Sequence, residues 1–119
     1  MDFRKLAQQE LSLSPLMAGR EQLTTEDLNG KTATMIAFDF ATITDGGVQK
    51  TFPVIIFKEF PDHYYNGGYM LYKLCNAIMQ NFESVDEASG ELEDSGGLSL
   101  RFKQSRTKSG NNLTTIEVV

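Results

Sequence analysis

The chain contains no tryptophan, one cysteine (Cys75), one histidine (His63) and only three prolines in 119 residues. A lone cysteine cannot close an intrachain disulfide, which removes the small disulfide-stapled scaffolds. A lone histidine with no cysteine near it cannot assemble a zinc site, so neither a metal nor another cofactor is expected. No apolar run approaches the roughly 18 residues that a membrane-spanning helix needs. The opening residues, MDFRKLAQQELSL, are charged from the second position and offer no apolar h-region, so no secretory leader is expected. Basic residues are the minority, 11 against 16 acidic, for a net charge of −5. A uniformly basic nucleic-acid binder is thereby excluded.

What is present fits one soluble globular domain: 40% of residues are hydrophobic and 23% charged, within the ordinary range for packed proteins. Phe3, Leu6, Ala7 and Leu11 recur at helical spacing, so residues 2–13 are expected to form an amphipathic helix. Pro15 ends it, and residues up to 22 read as a linker to a domain spanning 23–119. Thr24 or Thr25 can cap a short turn through Leu28, stopped by Asn29-Gly30. Residues 31–44 form the first convincing strand, with Thr32, Thr34, Ile36, Phe38 and Phe40 on one face and Met35, Ala37 and Ile43 on the other. Such a strand spans on the order of 40 Å at about 3.3 Å per residue, so a bend or bulge is expected. Asp45-Gly46-Gly47 is a turn signal leading into a second strand over 49–60. Its centre, Val54-Ile55-Ile56-Phe57, is apolar on both faces, as in a strand covered on both sides.

Residues 61–68, PDHYYNGG, read as a loop. Leu71, Leu74, Cys75, Ile78 and Phe82 then define a helical stripe over 68–82. The stretch 83–97 carries six acids and no base and reads as a solvated acidic loop. Strands over 98–106 and 113–119 close the chain as a second hairpin. Leu98, Leu100 and Phe102 face inward there, opposed by Ser99, Arg101, Lys103 and Ser105, with Ile116 and Val118 apolar on the return strand. The expected fold class is α+β: an antiparallel sheet of two hairpins with a helix between them.

The charges are unevenly placed. Between Ser95 and Ile116 stand Arg101, Lys103, Arg106 and Lys108 and no acid, a net of +4, whereas the rest of the chain carries −9. Alternation puts Arg101 and Lys103 on the exposed face of one strand and Arg106 and Lys108 toward the tip. Four cations on a ribbon can follow a phosphate backbone; cations on exposed strands also keep sheet edges from pairing. Lys58 and Lys50 are expected to assist. Rings are the second ingredient, because single-strand binders stack bases on aromatic side chains beside a basic groove. Tyr64 and Tyr65 in the loop, Tyr69 and Tyr72 at the helix start, and Phe52 or Phe57 are the candidates, with Tyr64, Tyr65 and Phe57 favoured. Large apolar side chains are more often core than platform.

No nucleophile–base set, apolar carboxylate pair or phosphate-binding fingerprint occurs, so no enzyme is expected. Asn66-Gly67-Gly68 suits a helix cap, His63 beside Asp62 a surface position, and Cys75 the apolar stripe. Three stretches, DLNGKTATMIAFDFATI, TFPVIIFKEFPDHYYNGGYMLYKL and LRFKQSRTKSGNNLTTIEVV, cover about half of the chain. They resemble the small single-stranded-DNA-binding-like proteins of bacterial phages and integrated mobile elements. That resemblance implies an OB-like fold, a cytoplasmic setting and a role in phage or mobile-element DNA metabolism, with single-stranded DNA or RNA as partner. A different class of function, a protein–protein module such as a phage accessory or host-factor-binding protein, follows from the amphipathic segment 2–13. That segment could dock on a partner or on a second copy of the chain.

Overall fold

The computed structural model describes Phe3, residues 14–106 and residues 112–119. The helix expected over 2–13 and Lys108 at the hairpin tip lie outside the described residues. Ser14 caps a 3-10 turn, Pro15–Met17, in which proline holds the first position, where its missing N–H costs nothing. Strand β1 (Glu21–Gln22) follows, then helix α1 (Thr25–Leu28). Thr24 caps α1 through a reciprocal box: its hydroxyl accepts from the Asp27 N–H while the Asp27 carboxylate accepts from the Thr24 N–H. Two backbone donors that a helix start leaves orphaned are satisfied this way.

Strand β2 (Thr32–Asp45) and strand β3 (Val48–Phe57) form an antiparallel hairpin. Its two-residue loop is Gly46 at φ +58° and Gly47 at φ +82°, the pair of positive φ values that a tight right-twisting hairpin demands. The bulge expected in β2 lies between Met35 and Ala37. It shifts the alternation by one residue, so Ala33, Met35 and Phe38 all face the same core, whereas Thr34 and Ile36 do not share the face of Phe38. β2 pairs with strand β5 (Leu98–Arg106) over Thr32–Met35 and with β3 from Met35 to Asp45, so Met35 is flanked on both sides and beyond the bulge only β3 remains. One long strand thus serves two neighbours in different directions.

Strand β4 (His63–Asn66) occupies part of the segment expected to be a loop. It is only four residues long, pairing antiparallel with β3 and parallel with β1. Helix α2 (Tyr69–Met79) buries Leu71 and Cys75, as the stripe predicts. The acidic stretch is corrected too: helix α3 (Val85–Asp94) runs through it, capped by the Ser84 hydroxyl, which accepts from the Glu87 N–H. Strand β6 (Asn112–Val118) returns antiparallel to β5. Val118 lies opposite Leu100 but at the sheet's edge, where it is exposed rather than packed.

The sheet has six strands in the order β1-β4-β3-β2-β5-β6. It is mixed and curled, not a purely antiparallel pair of hairpins. Its core holds Leu28, Met35, Phe38, Phe57, Leu100 and Phe102, each at most 1% exposed. β3 is buried on both sides as expected: Ile55 and Phe57 join that core, while Val54 and Ile56 are also inaccessible. The 3-10 turn packs against β3, and the buried Ser14 hydroxyl donates to the Asp39 carboxylate at 2.7 Å.

Candidate functional site

Period-two alternation in β5 sends Leu100 and Phe102 into the core and leaves Arg101 and Lys103 exposed. The two cations lie on one face, opposite Glu117 and Thr115 of β6 respectively. Arg101 therefore has a carboxylate across the strand pair. The Thr115 hydroxyl donates to the Lys103 carbonyl at 3.3 Å across the strand pair. Arg106 belongs to β5 opposite Asn112; its side chain and all of Lys108 lie outside what is described. On β2, Thr34 is held by Glu59, just past the end of β3, whose carboxylate accepts from both the N–H and the hydroxyl of Thr34, at 2.6 and 2.8 Å. Partial burial works against its ionisation, but these two hydrogen bonds outweigh it and hold the carboxyl below its ordinary range.

The ring candidates divide sharply. Phe57 is wholly buried and Tyr65 is 6% exposed, so neither presents a face to a base, contrary to expectation. The reason is β4: once residues 63–66 pair as a strand, Tyr65 must point inward, where it packs edge-on to Phe102 and beside Phe57. Its hydroxyl reaches Thr25 at 3.2 Å. Tyr64, on the other side of β4, is half-buried. Lys58 is exposed at the end of β3 and its N–H donates to the Thr34 carbonyl. Lys50 is exposed on the outer arm of the β2–β3 hairpin.

A surface the sequence did not delimit lies between that arm and the start of α2. β4 pairs with β3 only at Val54 and Ile55, and the chain then turns away through Gly67 and Gly68. A Cβ on Gly67 would come within 2.8 Å of Leu71 and 2.9 Å of Pro53, so only glycine lets the helix start this close to β3. Beyond this contact opens a groove of about 620 Å³ lined by Lys50, Phe52, Tyr69 and Tyr72. A second recess of about 360 Å³ continues it along α2 past Tyr69 and Tyr72 to Lys73 and Gln80. Tyr69 is 77% exposed, and Tyr72 is braced edge-to-face on Phe40, centroids 6.0 Å apart.

The remaining reactive groups have structural roles. Burial pushes the Cys75 thiol up to about 12, leaving it protonated and unreactive. His63 approaches Glu21 at 3.9 Å and packs edge-on to Phe60. Among the described residues no three or more His, Cys, Asp or Glu gather closely enough to hold a metal ion, and no described helix is long and apolar enough to cross a membrane. Comparison with family models, curated proteins and solved structures finds no match to this chain.

Proposed function

We propose that the protein is a small, non-catalytic binder of single-stranded nucleic acid with an OB-like fold, serving phage or mobile-element DNA metabolism in the cytoplasm. The observation that carries the reading is the connectivity. Three meandering strands (β2, β3, β4), a helical segment, then a hairpin (β5, β6) whose first strand returns to the long β2, make five strands with a helix between the third and fourth. OB-folds have that order, and they take oligonucleotides on a sheet face flanked by hairpin loops. The exposed pair Arg101 and Lys103, with Lys58 and Lys50 elsewhere on the surface, supplies cations in a chain that is acidic overall.

The test is fluorescence anisotropy with labelled single- and double-stranded oligonucleotides at two salt concentrations. Four neutralised phosphates on a single strand give a slope of log K against log salt of about −2.8. Reversing Arg101→Glu and Lys103→Glu together is expected to weaken binding alike across sequences and to flatten the slope by about 1.4. Absence of single-strand binding at low salt would overturn the reading.

A further inference from the structure

The basic ribbon supplies cations, but of the rings expected to stack on bases Phe57 and Tyr65 are in the core and Tyr64 is half-buried. Exposed rings occur elsewhere. Tyr69 stands almost free of the protein and Tyr72 is half-buried one helical turn later; residues three apart on a helix are neighbours on one face. Both line the groove beneath the β2–β3 arm and the recess that extends it. Charge is complementary as well. Among the described residues lining the two, Lys50 and Lys73 are the charged ones and no carboxylate occurs, although acids outnumber bases 16 to 11 in the chain.

We infer that this groove seats the bases: Tyr69 and Tyr72 stack on successive bases of a single strand, while Lys50 and Lys73 flank its phosphates. The inference rests on the single-strand reading above and names the part of the surface that contacts the bases. Stacking on exposed rings is tolerant of sequence, because every base presents a π-face. Double-stranded ligand is excluded by the same geometry, since its bases already stack on each other.

The experiment titrates the full chain with a fluorescein-labelled oligothymidylate of about 16 nucleotides, the upper site size for one such domain. Tyr69→Ala removes a ring that packs on little else and is expected to weaken binding about 5- to 150-fold, the range for losing one stacked base. Tyr69→Phe keeps the ring and holds affinity within about twofold of wild type. Gly68→Asp is an independent probe. A Cβ there meets nothing within 4 Å, and Gly68 caps α2 without a side-chain hydrogen bond, so an Asp raises the urea midpoint while placing a negative charge in the groove and lowering affinity. With no tryptophan in the chain, tyrosine emission is a further readout: the oligonucleotide quenches it in wild type and less so in Tyr69→Ala. If wild type binds but Tyr69→Ala and Gly68→Asp bind equally well, the groove assignment is overturned and the single-strand reading stands. If wild type does not bind at low salt, both fall.

Discussion

Ser89 shows how one hydroxyl can finish a sheet edge. Beyond the bulge β2 leaves β5, and the backbone of Phe38 on that side has no strand to pair with. The Ser89 hydroxyl, presented by α3, accepts from the Phe38 N–H and donates to the Phe38 carbonyl, both at 3.1 Å. A single side chain thus stands in for a neighbouring strand at that residue. Ser89→Ala leaves both groups unmet in a part-buried setting and is expected to cost about 1–2 kcal/mol of stability, read as a lower urea midpoint at constant m-value. Unchanged stability would mean that water replaces the hydroxyl without loss. At this same scale Arg101 and Lys103 were legible from the sequence, since alternation beside Leu100 and Phe102 fixes which way they point. Tyr65 was not: its direction depends on a strand of four residues framed by turn formers, and nothing local distinguishes that strand from a loop.

Among the elements, α3 departs furthest from what its composition suggests. Six acids between residues 83 and 97 disfavour any collapsed structure on charge grounds. Yet the segment carries two signals of a helix: Ser84 followed at the third position by Glu87, and Val85, Ala88 and Leu92 at apolar spacing. Ala88 is buried, and Val85 and Leu92 pack against the core, so tertiary contact outweighs the unfavourable charges. Those charges do carry a penalty at the C-terminal end. No basic residue stands in the last turn of α3, while Glu91, Glu93 and Asp94 do, facing the negative pole of the helix dipole. Asp94→Lys on this exposed surface is expected to stabilise the protein by about 0.3–1 kcal/mol at low ionic strength, with the gain shrinking as salt is added. Thermal melts of both chains at two salt concentrations check it; a salt-independent gain would point to a different cause. The helix over Tyr69–Met79 and the C-terminal hairpin were readable because each has an unbroken period; the long first strand was readable as a strand, but its bulge moved the inward face by one residue. The groove beside the start of α2 was not readable, because it lies where β4 stops short of the β3 arm.

Taken whole, the molecule is a curled sheet held by rings that meet from opposite ends of the chain. Phe102 of β5 lies edge-on to both Phe57 of β3 and Tyr65 of β4, with centroids 5.7 and 5.8 Å away. In sheet order β4 and β5 are separated by β3 and β2, so these contacts cross the interior of the curl. The C-terminal hairpin is tied to the sheet through Thr32–Met35 of β2 and Leu98–Arg101 of β5, and through Phe102, whose N–H donates to the Lys31 carbonyl and whose carbonyl accepts from the Gly30 N–H. The ring cluster adds side-chain contacts that join the hairpin to β3 and β4. Phe102→Ala is accordingly expected to cost about 3–5 kcal/mol, a large share of the 5–15 kcal/mol typical of a domain. Val118→Ala on the exposed edge is expected to stay within about 0.5 kcal/mol. The decisive comparison is between two probes of urea unfolding in Phe102→Ala: far-UV circular dichroism, which follows all strands, and tyrosine emission, to which Tyr65 contributes from β4. Coincident transitions at a lowered midpoint are the outcome of a single shared core. If the hairpin instead melts first, with tyrosine emission unmoved, then the rings only touch across the curl and do not close it.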